Sequence, residues 1–178
     1  MKRTRTSDSE SAPQRSRSSS SLPKGVVHLP FFISAAEGHN LLVQALELGV
    51  ATRGGFFKCN NERTKNMKMM NLGRRTDCSG DCDQAIPEEW RAVALRALAA
   101  AQETEPSLPS MTPNVCVVNM YSTRSRLSPH VDVPTRREPG TPIVSISLGL
   151  SADFVLQRSW GKKQKAHKVS PMLAGFFK

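Results

Sequence analysis

His130 and Asp132 stand two residues apart in SPHVDV, and residues at i and i+2 of a strand project to one face. An imidazole and a carboxylate side by side supply two of the three ligands of a 2-His-1-carboxylate site, in which iron(II) keeps open positions for a cosubstrate and oxygen. The same pair serves equally as a structural ion pair or as a turn closed by the aspartate, so the spacing alone leaves these readings open. Upstream, Asn119 and Tyr121 share a face of NVCVVNMY by the same alternation, and Val115 and Val117 continue that face inward. A polar pair at the end of an apolar strand face offers an amide and a phenol to orient a polyoxygenated acid in a buried small-molecule site. A strand end at Tyr121 and a bulge at Asn119 would account for them as well.

The elements that must position these groups are legible from periodicity. Residues 1–25 are rich in Ser, Arg and Pro with almost no apolar side chains, and are expected to form a disordered basic tail. VVHLPFFI reads as a short extended run. Ser34 to Glu37 has the spacing of a capping box, followed by a helix with Leu41, Leu42, Ala45, Leu46 and Leu48 on its apolar side and Gly49 as its stop. A second helix starts near Pro87, its first turn acidic with Glu88 and Glu89, its stripe running from Trp90 through Val93, Ala94, Ala97 and Leu98 to Ala101. Beyond PSLPSMTP the period becomes that of strands, predicted at 114–121, 128–133, 142–150 and 153–158. Helices followed by consecutive strands indicate an α+β fold over 26–178.

Lys and Arg number 25 against 15 Asp and Glu, a net charge of +10. The tail holds only Lys2, Arg3, Arg5, Arg15, Arg17 and Lys24 against Asp8 and Glu10, so the folded part is basic too, and nucleic acid is the commonest partner of such a surface. No long uncharged apolar run suits a membrane span, and no apolar segment follows the basic N-terminus, so a soluble protein of the nucleus or cytoplasm is expected. Four cysteines without a secretion signal imply free thiols; Cys78 and Cys82 in CSGDC have the spacing of half a zinc site, but no second pair matches it.

Residues 114–158 resemble the central part of an AlkB-like iron(II)/2-oxoglutarate dioxygenase. They carry, in order, an Asn-x-Tyr strand, a spacer, Leu-x-x-His-x-Asp, and PIVSISLG followed by a small-residue turn and an aromatic. NMKMMNLGR, 66–74, resembles the strand and loop that precede the barrel in this family, where parts of the substrate lid arise. The resemblance implies a double-stranded β-helix (jelly-roll) core flanked by the N-terminal helices. It makes His130 and Asp132 iron ligands, Asn119 and Tyr121 contacts to 2-oxoglutarate, and Ser145, Leu148 and Gly149 scaffold. The chemistry implied is oxidative removal of an N-methyl group from a base of nucleic acid, single-stranded or flipped, with formaldehyde released. Arg74, Arg75, Arg124, Arg126, Arg136 and Arg137 are then candidate phosphate contacts.

The family also needs a second histidine on a later strand and an arginine beyond it, and neither is recognisable after Leu150. His167, in KKQKAHKV, is expected on a basic hairpin remote from the metal. The last barrel strands are accordingly expected to be missing, and the chain to show little turnover.

Overall fold

The computed structural model describes residues 22–61, 64–73, 84–130, 141–150, 154–156, 167–169 and 174–177. Two helices, α1 (Ala35–Gly49) and α2 (Glu88–Thr104), accompany seven strands: β1 (Phe57–Asn61), β2 (Thr64–Gly73), β3 (Val115–Leu127), β4 (Ile143–Ile146), β5 (Phe154–Leu156), β6 (His167–Val169) and β7 (Ala174–Phe177). β1, β2 and β3 form an antiparallel sheet in that order, β4 pairs antiparallel with β7, and β5 with β6. The α+β expectation holds. Among the described residues no helix is long and apolar enough to cross a membrane.

α1 begins at the expected capping box: the Ser34 side chain accepts from the Glu37 amide at 3.1 Å, and the Ser34 amide donates to the Glu37 carboxylate at 2.9 Å. Arg96 of α2 meets the same carboxylate at 2.5 Å. The bond from the Ser34 backbone and the Arg96 guanidinium hold Glu37 below the usual carboxylate range. The apolar side of α1 is narrower than its sequence indicates. Leu41 and Ala45 are buried, whereas Leu42 and Leu46 are 43% and 44% exposed, because α2 covers only one side of the helix.

α2 is the hub of the core. Ala97, Leu98 and Ala101 pack with Val27 and Leu108, and Val144 of β4 rests against them. Val93 packs with Ile33 and Leu41 beneath Ile146 and Leu148. Trp90 reaches a third cluster, formed by Met70, Leu72 and Ile86 with Cys116 and Val118 of β3 against it. The helix pair is cross-linked where the Trp90 indole donates to Gln44 at 2.6 Å and the Gln44 amide donates to Glu89 at 2.7 Å. Both β3 and β4 thus turn their even-numbered residues to the helices. Strand alternation directs Val115, Val117, Asn119 and Tyr121, and likewise Ile143 and Ser145, away from the helix layer.

Several boundaries depart from the sequence reading. VVHLPFFI holds only an isolated bridge at His28 and turns at Pro30–Phe31, with Phe31 at φ 58°. β1 was not foreseen, and 66–74 proves to be mostly strand β2. β3 runs on to Leu127 rather than ending at Tyr121, while Ser128–His130 are outside any strand, so no strand begins at 128. The stretch SPMLAGFFK contributes β7, antiparallel to β4 with Ile143 opposite Phe177.

Candidate active site

Asn119 and Tyr121 occupy one face of β3 as alternation requires, and cross-strand register extends that face. Tyr121 lies opposite Met67 of β2, which lies opposite Cys59 of β1; Asn119 lies opposite Met69, which lies opposite Phe57. Val117 lies opposite Asn71. The sequence reading placed this polar pair in a buried site; instead Val115, Val117 and Tyr121 are 42%, 45% and 51% exposed, and Asn119 is exposed as well. The physical reason is that α1 and α2 cover only the opposite side of the sheet. Tyr121 nevertheless rests against the buried Met67, and the partial desolvation of its phenol raises its pKa.

The path from Tyr121 to His130 is shaped by a bulge. Met67 opposes Tyr121 but Lys65 opposes Arg126, so two steps along β2 are matched by five along β3. Asn66 takes the left-handed conformation at φ 53°, its carbonyl accepts from the Ser125 hydroxyl at 2.5 Å, and the Ser125 oxygen accepts from the Ser122 amide at 2.7 Å. Asparagine tolerates this conformation better than most residues. After Leu127 the chain reaches His130, exposed, with Nδ1 2.9 Å from the Ser128 carbonyl. A carbonyl only accepts, so Nδ1 is the donor of this bond, as the non-ligating ring nitrogen of a metal-bound histidine commonly is.

Asp132 lies outside the described residues, as do Arg74, Arg75, Arg136, Arg137, Cys78 and Cys82, and the expectation of a shared strand face for His130 and Asp132 loses its premise at His130, which is not in a strand. Arg124 and Arg126 are exposed on β3. Ser145 is on β4, with Leu148 and Gly149 just beyond it; Leu148 packs on the helices, in keeping with a scaffold role. His167 opens strand β6, opposite Leu156 of its antiparallel neighbour β5. Cys59 and Cys116 are free thiols, and burial pushes the Cys116 thiol up to about 11.

Asn71 escaped the sequence reading. It lies on the same face as Asn119, lines a cleft of about 320 Å³ with Ala51–Thr52 and Gly54–Phe57, and its buried Oδ1 has no hydrogen-bond partner among the described residues. Its signal was the alternation of NMKMMNLG, which sets Met67, Met69 and Asn71 on one side.

The Asn119 amide and the Tyr121 phenol are donors of the kind a dicarboxylate accepts from, and His130 offers an imidazole of the kind iron(II) takes. Among the described residues no three His, Cys, Asp or Glu side chains come together.

The profile of the 2OG-Fe(II) oxygenase superfamily matches residues 25–172, and the chain belongs to that family. It is 28% identical over 172 residues to the DNA N(6)-methyladenine demethylase ALKBH1D of Arabidopsis thaliana, an alignment covering 84% of this chain and 38% of that protein. It is 32% identical over 114 residues to the alpha-ketoglutarate-dependent dioxygenase AlkB of Escherichia coli K12, covering 52% of this chain and 49% of AlkB. The solved structure of OsALKBH1 matches with a TM-score of 0.76 at 27% identity, over 89% of this chain and 82% of that one. The chain thus spans well under half the length of the Arabidopsis relative. The family and this likeness carry a jelly-roll core with them.

Proposed function

We propose that this chain is an iron(II)/2-oxoglutarate-dependent oxygenase of AlkB type that removes alkyl groups from nucleic-acid bases. His130 and Asp132 are its metal ligands, and Asn119 and Tyr121 its contacts to 2-oxoglutarate. The single observation that carries the reading is the open face of β3, where an amide and a phenol share one side two residues apart, upstream of a histidine whose Nδ1 donates to the Ser128 carbonyl. The nucleic-acid substrate class rests on the relatives, one of them named as a demethylase of DNA N(6)-methyladenine, and on the basic chain.

When bound, iron(II) with 2-oxoglutarate supplies the oxidising power that hydroxylates an N-alkyl carbon. The residues of this chain bind and orient. The Tyr121 phenol and the Asn119 amide would donate hydrogen bonds to carboxylate oxygens of the cosubstrate. The Ser128 carbonyl, accepting from Nδ1, orients the His130 ring. Met67 closes the sheet behind Tyr121. We place the two walls of the jelly roll in the β1–β3 sheet and the β4–β7 pair, a nuclear or cytoplasmic setting follows from the basic tail, and the base is presented single-stranded or flipped.

A second reading is a domain that binds nucleic acid without turnover, favoured by the net charge of +10. Incubation with methylated oligonucleotide and, separately, methylated peptide, with mass analysis of both and assay of succinate, separates the readings. Demethylation of the oligonucleotide that vanishes in His130→Ala supports the oxygenase. Binding with no succinate above the His130→Ala level favours the second reading, and demethylation of the peptide alone refutes both.

A further inference from the structure

Between Tyr121 and Arg126 strand β3 takes five steps where β2 takes two, since Tyr121 lies opposite Met67 and Arg126 opposite Lys65. The surplus on β3 could be stored in more than one way. A slip of one residue would carry Leu127 and the chain beyond it about 3.3 Å along the sheet and reverse the face each side chain takes. His130 follows Leu127 by three residues, so the manner in which the surplus is held decides where His130 stands relative to Tyr121.

Ser125 holds it. A hydroxyl has one proton to donate and two lone pairs to accept with. The Ser125 proton goes across the strands to the Asn66 carbonyl at 2.5 Å. Its oxygen accepts from the Ser122 amide at 2.7 Å and, its own proton being in use, from the Ser122 hydroxyl at 2.9 Å. The Ser122 oxygen accepts in turn from the Arg124 amide at 3.4 Å. Asn66 immediately precedes Met67, so a single dipeptide of β2 faces Tyr121 with one residue and grips Ser125 with the other. Ser122–Arg126 are exposed apart from the half-buried Ser125, and none of them packs in the three core clusters. The hydroxyl therefore adds little to the core and acts on the course of the chain between Tyr121 and His130.

We infer that Ser125 is a positioning residue whose hydroxyl fixes where His130 stands relative to Tyr121. Its meaning for catalysis rests on the oxygenase reading above: a cosubstrate held by Tyr121 and a metal held by His130 meet only if the two residues keep one relation.

The chain has a single tyrosine, so ring-labelled tyrosine reports Tyr121 alone, and the His130 signal is identified by its loss in His130→Ala. Both are followed by nuclear magnetic resonance in the metal-free full chain, with the Trp90 indole, bonded to Gln44, as a reporter of the helix pair. Ser125→Ala is expected to shift or split the Tyr121 and His130 signals and to leave that of Trp90 in place. Its melting temperature is expected to fall by about 2–4 °C, the equivalent of one ordinary hydrogen bond. Ser125→Thr keeps the hydroxyl and is expected to restore the wild-type signals. Manganese(II) binding is then measured with and without 2-oxoglutarate. The tightening the cosubstrate brings, about 5- to 150-fold for coupled sites generally, is expected to be lost in Ser125→Ala and kept in Ser125→Thr. Unmoved Tyr121 and His130 signals in Ser125→Ala, no recovery in Ser125→Thr, a Trp90 signal that moves with them, or an undiminished 2-oxoglutarate effect in Ser125→Ala overturns the inference. A wild type that binds no manganese(II), with the metal-free signals behaving as expected, ends the oxygenase reading and leaves the positioning role standing.

Discussion

Tyr121 of β3 and Met67 of β2 face each other across the antiparallel ladder, the first half exposed and the second only 1% exposed. The tyrosine thereby stands beside a core methionine on the side of the sheet the helices leave open. Met67→Ala removes the packing that sets the ring, and is expected to cost about 2–5 kcal/mol in chemical denaturation, as for buried large-to-Ala changes generally.

Tyr121→Phe keeps the ring and deletes the hydroxyl. Loss of one hydrogen bond to a charged group corresponds to about 1.5–3 kcal/mol, or roughly 10- to 150-fold weaker binding of 2-oxoglutarate by calorimetry. The melting temperature of the free protein should hold, since the oxygen supports nothing in the fold. Asn119→Ala should behave alike.

The Cys116 thiol, raised by burial from 9.0 to about 11, sets a window in alkaline stability. In the unfolded chain the thiol deprotonates near 9, so between pH 9 and 11 the folded state binds more protons than the unfolded one. Stability from this group is complete below pH 9 and falls as pH rises toward 11. Cys116→Ser or Ala should flatten the decline of melting temperature over that range, and iodoacetamide should modify Cys116 slowly at pH 8 relative to an exposed thiol.

Trp90 joins the two helices through Gln44. Trp90→Phe preserves the aromatic packing but leaves the Gln44 oxygen without its donor, at a cost of about 1–3 kcal/mol. For a chain of this size that is a fall of about 2–4 °C in melting temperature per kcal/mol, and Gln44→Leu in the Trp90→Phe background should recover part of it.

The helices, their cap at Ser34 and the Asn119–Tyr121 face were readable because each rests on a local rule, a capping spacing or a two-residue period. The same locality explains the misses. Nothing local says that α2 covers Leu41 but not Leu42, or that the 115–121 face lies open; those are facts about which element packs where. β1 was hidden because FKCNN lacks alternation, and its strand character comes from pairing with β2. The end of β3 was misread because its extension to Leu127 depends on a bulge that Asn66 and Ser125 build from separate strands. His130 was singled out by type and spacing, while its placement outside a strand required the register of β2 against β3.

The central claim, that His130 is a metal ligand beside a 2-oxoglutarate site at Asn119 and Tyr121, is tested most directly by manganese(II) as an oxygen-stable stand-in for iron. Its binding to wild type and His130→Ala is followed by electron paramagnetic resonance, with and without 2-oxoglutarate. Wild type is expected to bind manganese(II), with 2-oxoglutarate altering the signal and tightening the binding, and His130→Ala to abolish both effects while keeping the wild-type melting temperature. Equal binding by the two proteins, or a signal indifferent to 2-oxoglutarate, would contradict it.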